Sequence, residues 1–140
     1  MTERATLLAL AERCEQAAEP DRELDQEISR VLLPAAAEGI TRSRYGWSYR
    51  VFGPSGWDDE WLETLPFTAS LDAAVTLVPE GWKWKAILRD SARGENTGEG
   101  YVHNNRLHMS GQYQGADTFA ATPALALCAA ALRARAASHE

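Results

Sequence analysis

The stretch SLDAAVTLVPEGWKWKAILR (residues 70–89) contains the two patterns that decide the fold class. Ser70 can cap a helix over residues 71–77, because its hydroxyl can accept a hydrogen bond from an N–H group of the first turn. Pro79 and Gly81 lie in the segment expected to end this helix. Over residues 82–89, apolar residues alternate with mostly cationic ones, which is typical of a strand with one buried face. The pattern predicts helices packed on a sheet.

Three further helices are predicted near the chain ends. Apolar residues recur every three to four positions in residues 3–18 and in residues 21–33, which predicts two helices that pack as a hairpin. A single turn over residues 35–38 is expected to end at Gly39. Thr122 can cap a last, alanine-rich helix that starts at Pro123 and runs to residue 136. The residues expected to pack the N-terminal hairpin are Leu7, Leu8, Leu24, Ile28 and Leu32.

The middle of the chain is expected to form a mostly antiparallel sheet of about four strands. Aromatic and β-branched residues alternate with small or polar ones over residues 45–51, and the turn GPSG follows. Residues 57–61 (WDDEW) are expected to form one helical turn with both tryptophans on one side. A loop is predicted over residues 90–98, and a hairpin around Asn104-Asn105 within residues 101–110. This order predicts an α+β fold, arranged as a layered α/β/α sandwich.

Acidic residues are concentrated at the N-terminus. The 140 residues fit one domain. Of 20 acidic and 14 basic residues in the chain, nine acidic and four basic lie in residues 1–39. We therefore expect an acidic helical segment (residues 1–39) packed on a sheet-and-helix core (residues 40–136). The net charge of −6 argues against generic nucleic-acid binding.

Signals for export or membrane insertion are not recognisable. The start Met1-Thr2-Glu3-Arg4 lacks the basic, apolar and cleavage regions of a signal peptide. No apolar run approaches the ~20 residues that span a bilayer. Cys14 and Cys128 fall on apolar helix faces and are expected to be buried, reduced thiols. These features predict a cytoplasmic protein without membrane attachment.

Two segments resemble the core of the phage ABA sandwich domain family. They are FTASLDAAVTLVPEGWKW (residues 67–84) and ATPALALCAAALRA (residues 121–134). The segment PDRELD (residues 20–25) is also similar to the start of these proteins. The resemblance implies an α/β/α layered fold, an origin in a phage or prophage, and a place in the host bacterial cell. The family has no assigned activity, so the resemblance carries over no catalytic residue.

Familiar catalytic and metal-binding motifs are not recognisable either. His103 and His108 have no Cys, Asp or Glu at a zinc-binding spacing. The sequence has no G-x-S-x-G, and the glycines of residues 94–100 match no phosphate-binding loop. Consecutive acids at residues 58–60 could hold a divalent cation, but such acids are more often solvated. We therefore expect no metal, no cofactor and no enzymatic activity.

One set of cationic and aromatic residues is a candidate ligand-binding site. If the aromatic residues of the strands over residues 45–51 and 82–89 face the core, the intervening cations form a basic strip on the opposite face of the sheet. Trp84 is then a core residue, and Trp57 is partly exposed. Cations beside aromatics can hold phosphates and stack bases. The alternatives are a solvated face and a surface covered by the acidic helices. The candidate residues are Arg44, Arg50, Lys83, Lys85, Arg89, Trp57 and Trp61.

These observations favour a non-enzymatic phage accessory protein. It is expected to counter host defence by binding and sequestering a host component, which is either a nucleotide second messenger or a defence protein. The alternative is a structural or protein–protein interaction module, such as a homo-oligomer, without a small-molecule ligand. An enzyme, such as a nucleotide hydrolase that uses the acids near Trp57, has less support because no acid–base pair is identifiable.

Overall fold

A computed structural model of the protein describes residues 3–90, 96–107 and 113–137. The backbone alone is considered for residues 89, 90, 96, 105–107, 113 and 114. The described chain forms an α+β fold with helices at both ends. Its elements are α1 (Glu3–Gln16), α2 (Arg22–Arg30), β1 (Glu38–Ser43), β2 (Gly46–Gly53), β3 (Gly56–Glu63), α3 (Leu71–Val75), β4 (Lys83–Asp90), β5 (Asn96–Leu107), β6 (Tyr113–Ala120) and α4 (Pro123–Ala137).

The strands of the described chain form two three-stranded antiparallel sheets. Sheet A has the order β1-β2-β3, and sheet B has the order β4-β5-β6. The α+β class and the antiparallel pairing predicted from the sequence are confirmed. The expectation of one sheet with about four strands differs from this arrangement: β1 and β6 were not predicted, β3 was expected to be a helical turn, and β5 joins two of the predicted strands.

Helix α4 is the centre of the hydrophobic core. Every residue from Ala124 to Leu132 is buried. The helix packs against α1 on one side, against β5 and β6 on another, and against α3. The Thr122 hydroxyl accepts a hydrogen bond from the Leu125 N–H at 3.2 Å, which confirms the predicted N-cap. Small alanine side chains allow several elements to approach this helix closely.

Strand β5 lies directly against α4 at two glycines. A Cβ added at Gly98 would lie 2.1 Å from the carbonyl carbon of Thr122, and one added at Gly100 would lie 2.4 Å from that of Ala126. The Thr118 hydroxyl of β6 donates a hydrogen bond to the Ala126 carbonyl at 2.6 Å. Any larger residue at either glycine would push the helix away from the sheet.

Two predictions around β5 are wrong. The loop expected over residues 90–98 ends earlier, because β5 starts at Asn96 and Gly98 packs on α4. The hairpin expected around Asn104-Asn105 is not formed, because β5 continues through both residues to Leu107. The remaining part of that hairpin, residues 108–110, lies outside the described residues.

The helix starts are predicted better than the helix ends. The Asp21 carboxylate accepts hydrogen bonds from the N–H groups of Glu23 and Leu24, as expected of an N-cap. The Ser70 hydroxyl accepts one from Ala73. Helices α1 and α2 end at Gln16 and Arg30, two to three residues earlier than expected. Of the residues expected to pack the N-terminal hairpin, three are buried and two are half-buried: Leu7, Leu24 and Ile28, and then Leu8 and Leu32.

Two strands of sheet A overlap segments that were expected to be turns. Strand β1 begins at Glu38, so Gly39 does not end a turn but lies inside a strand, with φ +60° at an irregularity between Glu38 and Thr41. The helical turn expected over residues 57–61 is part of β3, which pairs with β2 through the predicted GPSG turn. Trp57 and Trp61 still share one side, because four residues are two full periods of a strand.

None of the described helices combines the length and the apolar character that crossing a membrane would require.

Candidate functional site

The cations of the predicted basic strip lie in two different sheets. Arg50 is in β2, and Arg44 is in the two-residue turn between β1 and β2. Lys83 and Lys85 are in β4 of sheet B. The side chain of Arg89, also in β4, is outside the described part of the structure. The expectation of one strip across neighbouring strands is therefore wrong, because β2 and β4 belong to separate sheets.

One side of sheet A carries large aromatic residues that are exposed in the described part of the chain. Phe52 pairs directly with Trp57, and Ser48 pairs with Trp61. Paired residues of antiparallel strands share a side, so all three aromatics lie together. Their exposed fractions are 71% for Phe52, 49% for Trp57 and 50% for Trp61. We call this surface, formed by Phe52, Trp57, Trp61 and Arg50, the aromatic face.

Arg50 lies in the middle of the aromatic face. Its guanidinium carbon is 5.1 Å from the centroid of the Trp57 ring, and the Phe52 ring meets Trp57 edge-on at 5.3 Å. A Cβ added at Gly39 would lie 3.2 Å from Arg50 Nε, so this glycine leaves room for the arginine. Asp59 is directly opposite Arg50 in the register. Within the described chain, neither Arg50 nor Asp59 has an oppositely charged group at ion-pair distance.

The other side of sheet A is attached to α2 by hydrogen bonds around Trp47. The indole N–H of Trp47 donates to the Gln26 carbonyl at 3.1 Å and to the Ser29 hydroxyl at 2.9 Å. The Ser29 hydroxyl is also 2.9 Å from the Thr64 hydroxyl. We call Gln26, Ser29, Trp47 and Thr64 the polar anchor. It fixes the side of sheet A that faces α2 and leaves the aromatic face free.

Asp25 connects α2 to the segment that enters α3. This buried carboxylate accepts hydrogen bonds from the Thr68 N–H and the Thr68 hydroxyl, both at 2.8 Å, and lies 3.5 Å from Arg22. Burial raises the pKa of Asp25, and the hydrogen bonds from Thr68 partly offset that rise. The carboxyl therefore joins α2 to the segment that enters α3.

The two cysteines are buried, as the sequence predicted. The Cys128 thiol donates to the Phe67 carbonyl at 3.1 Å. Contact with Cys14 and burial together raise the pKa of the Cys128 thiol. A thiol held in its neutral form is a poor nucleophile. Among residues 3–90, 96–107 and 113–137, no group of three or more His, Cys, Asp or Glu side chains could hold a metal ion.

A cationic cleft lies between α2 and the turn that joins β1 to β2. It has a volume of about 370 Å³. The residues that line it are Arg22, Glu23, Gln26, Arg42, Ser43 and Arg44. Arg44 is the one residue of the predicted strip in this cleft. A larger and more apolar cleft, of about 480 Å³, lies between α1, α2 and the chain that follows α2.

The prediction that Trp84 is a core residue is wrong. Trp84 pairs with the buried Val102 and therefore lies on the side of sheet B that faces α4. It is nevertheless 44% exposed, and Leu88 on the same side is 59% exposed. Strand β4 is at the edge of sheet B, and α4 covers mainly β5 and β6. Trp57 is partly exposed, as expected.

Sequence reasoning missed Phe52, because it was placed next to a turn rather than inside a strand. The sequence feature that could have identified it is its spacing. Phe52 is two residues from Arg50, so both side chains lie on the same side of β2. Tyr45 was also missed as an exposed ring, since it was expected to face the core.

Comparison of the chain with family models, with curated proteins and with solved structures finds no match in any of the three.

Proposed function

We propose that this protein is a non-enzymatic interaction module that binds through the aromatic face, and that its first partner is a second copy of the chain. The observation that carries this proposal is the exposure of three large aromatic side chains on one side of a sheet whose other side is held by α2. Large apolar patches of this kind mark interaction surfaces.

The size of the aromatic face fits a dimer interface. Phe and Trp carry about 150–250 Å² each, so the exposed fractions correspond to roughly 350–400 Å² per copy. Two copies packed face to face would remove about 700–800 Å² from these side chains alone. The exposed polar residues of the same side can supply the rest of the ~1,200 Å² that a specific interface needs.

One pair of charges on this surface, Arg50 and Asp59, is complementary across a two-fold axis, and Glu38 and Glu63 lie on the same side. Arg50 and Asp59 are neighbours and have no ion-pair partner among the described residues. In a symmetric dimer, Arg50 of each copy can pair with Asp59 of the other. The edge strand β3 also carries Asp58 and Glu60 on its other side, and these acids oppose pairing between strand edges. Association through the face is therefore favoured over association through the edge.

Sedimentation equilibrium of the wild type and two variants tests this proposal. The wild type is expected to be a dimer, and Phe52→Ser/Trp57→Ser is expected to be a folded monomer that unfolds cooperatively at a lower midpoint, because association no longer stabilises the folded chain. Phe119→Ser is the matched control, because Phe119 is 58% exposed on sheet B, and it is expected to remain a dimer. A monomeric wild type at the highest attainable concentration, or a dimeric double variant, would contradict the proposal.

A charge exchange sharpens the same test. Arg50→Asp is expected to weaken the dimer, because it places acids opposite acids. Arg50→Asp combined with Asp59→Arg is expected to restore association, because each copy regains an opposite charge. Loss of association in both variants would mean that the proposed two-fold pairing is wrong.

A second candidate is the sequestration of a nucleotide second messenger, in a phage protein that counters host defence. The stacking of Arg50 on Trp57 favours it, because cations beside exposed rings hold phosphates and bases. The position of Lys83 and Lys85 in a different sheet weakens the nucleotide candidate. Arg50 is then the one cation of the aromatic face that can bind the phosphates. Isothermal titration with cyclic and adenine nucleotides tests it: binding that Arg50→Glu abolishes would support it, and no heat at micromolar ligand would reject it.

The resemblance to the phage ABA sandwich domain family supports the setting of a phage protein that acts in its host. It implies a layered α/β/α arrangement, a phage or prophage origin and action in the cytoplasm of a host bacterium. We include these three features in the proposal. The features of the chain that carry them are the two segments of residues 67–84 and 121–134.

A further inference from the structure

The cationic cleft carries an inference that is independent of the aromatic face. Three of its lining residues are arginines, Glu23 is the one acid that lines it, and Arg22 is also paired with the Asp25 carboxylate at 3.5 Å. The chain as a whole has a net charge of −6, so this concentration of positive charge is unusual for the molecule. The three arginines come from the start of α2, from β1 and from the turn after β1.

Hydrogen bonds hold the side chains of Arg22 and Arg42 and the backbone of Arg44. Gln26 donates to the carbonyls of Ser43 and Arg44, at 3.3 and 2.9 Å, and holds the turn against α2. Arg22 donates to the Thr64 carbonyl at 2.9 Å. Arg42 donates two hydrogen bonds to Glu23, at 3.1 and 2.6 Å. The cleft is therefore formed before any ligand binds.

The guanidinium groups keep unused donors. Each has five N–H donors, and Arg42 uses two of them on Glu23. Arg44 makes no hydrogen bond through its side chain within the described chain, and its guanidinium carbon lies 5.6 Å from the Tyr45 ring centroid. Arginines of this kind bind an oxyanion with charge-assisted, often paired hydrogen bonds.

We propose that the cationic cleft binds the phosphate group of a small ligand. A carboxylate is satisfied by one arginine, as Arg42 and Glu23 show within the same cleft. Three guanidinium groups instead match the several oxygens and the higher charge of a phosphate. Tyr45, which is 62% exposed, lies beside the cleft and offers a ring to a planar group attached to that phosphate.

Calorimetric titration with inorganic phosphate and with adenosine monophosphate, at matched ionic strength, tests this site. Arg44→Ala is expected to weaken phosphate binding by roughly tenfold or more without changing the fold, because the side chain makes no structural hydrogen bond. Lys85→Ala is the matched control: it removes an exposed cation from sheet B, and it is expected to bind like the wild type. Tighter binding of adenosine monophosphate, lost in Tyr45→Ser, would identify a nucleotide as the source of the phosphate, and equal binding would identify the phosphate group alone.

A variant that is expected to bind phosphate more tightly gives a stricter test of the cationic cleft. Glu23→Gln removes the acid of the cleft and releases both Arg42 donors, so it is expected to bind phosphate several-fold more tightly than the wild type. Absence of phosphate binding by the wild type, equal binding by Arg44→Ala, or an equal loss in Lys85→Ala would overturn the proposal.

Discussion

Sheets A and B have the same number of strands and the same antiparallel pairing, but they are attached to the helices by different forces. Sheet B is attached by apolar contact, because Gly98 and Gly100 let α4 approach the backbone of β5 directly. Sheet A is attached by the polar anchor, in which Trp47, Ser29 and Thr64 exchange hydrogen bonds with one another and with α2. No buried side-chain nitrogen or oxygen of the described residues lacks a partner.

The difference indicates that the two sheets have different tasks. Sheet B supplies the buried Val102 and the contact surface of α4, so most of the apolar core depends on it. Sheet A contributes Trp47 to the interior and keeps its aromatic face outside. Hydrogen bonds define direction more strictly than apolar contacts do. A polar attachment can therefore hold a sheet at a fixed angle while its other side remains available for binding.

The largest expected effect is on the attachment of sheet B. Gly100→Ala places a methyl group 2.4 Å from the backbone of Ala126, so α4 must move, and we expect a loss of about 3 kcal/mol or more in the free energy of unfolding. Gly53→Ala in sheet A is the matched control, because its Cβ would meet nothing closer than 3.7 Å. Urea unfolding of both variants measures the difference. Equal stability of the two would show that α4 does not depend on a close approach to β5.

A second loss of stability is expected where α2 packs against the core that α1 and α4 form. Ile28 is fully buried in α2 and faces the core that α1 and α4 form. Ile28→Ala is expected to cost about 2–5 kcal/mol, and Leu24→Ala a similar amount, because each leaves a cavity. Unchanged thermal stability of both variants would mean that the N-terminal helices are an independent arm.

The parts of the fold that were predictable are those fixed by local chemistry. The capping residues Asp21, Ser70 and Thr122 satisfy N–H groups within their own helix, so their pattern is visible in the sequence. Strand β4 was visible because it alternates apolar and cationic residues. Strands β1, β3 and β6 were not. Every residue of β1 and most of β3 are exposed, and the inward residues of β6 are the small Ala116, Thr118 and Ala120, so no apolar alternation marks these strands.

The candidate site was predictable in its members more than in its geometry. The approach of Arg50 to Trp57 follows from their positions in one hairpin, and the sequence placed both among the candidates. The separation of Lys83 and Lys85 from them depends on which strands pair, which is a long-range property that residue spacing does not contain. The role of Gly98 and Gly100 depends in the same way on the path of α4.

A smaller effect is expected at the polar anchor. Ser29→Ala removes a buried hydroxyl that contacts Trp47 Nε1 and Thr64, and we expect a cost of about 1–3 kcal/mol. The Trp47 indole keeps its bond to the Gln26 carbonyl, so sheet A should remain attached. Chemical denaturation, monitored by tryptophan fluorescence, measures the cost. A variant as stable as the wild type would show that the anchor contributes direction without stability.

The smallest expected effect is the contribution of Asp25 to the pH dependence of stability. Its pKa in the folded state is raised above the ordinary 3.8, so the folded state binds more protons than the unfolded state between these two values. The contribution of Asp25 to stability is therefore complete below pH 3.8 and is lost as the pH rises through the raised pKa. Asp25→Asn is expected to lack this component. Parallel pH profiles of the wild type and the variant would contradict a raised pKa.

The indole N–H signals of the five tryptophans test the central claim most directly, because each reports on its own surface. Two-dimensional nitrogen–proton NMR spectra over a range of protein concentrations compare them, with Trp→Phe variants for assignment. We predict that the signals of Trp57 and Trp61 shift as the concentration rises, while those of Trp47 and Trp84 do not. Signals that stay constant for Trp57 and Trp61, or a shift of Trp84 in their place, would contradict the claim that sheet A presents the binding surface.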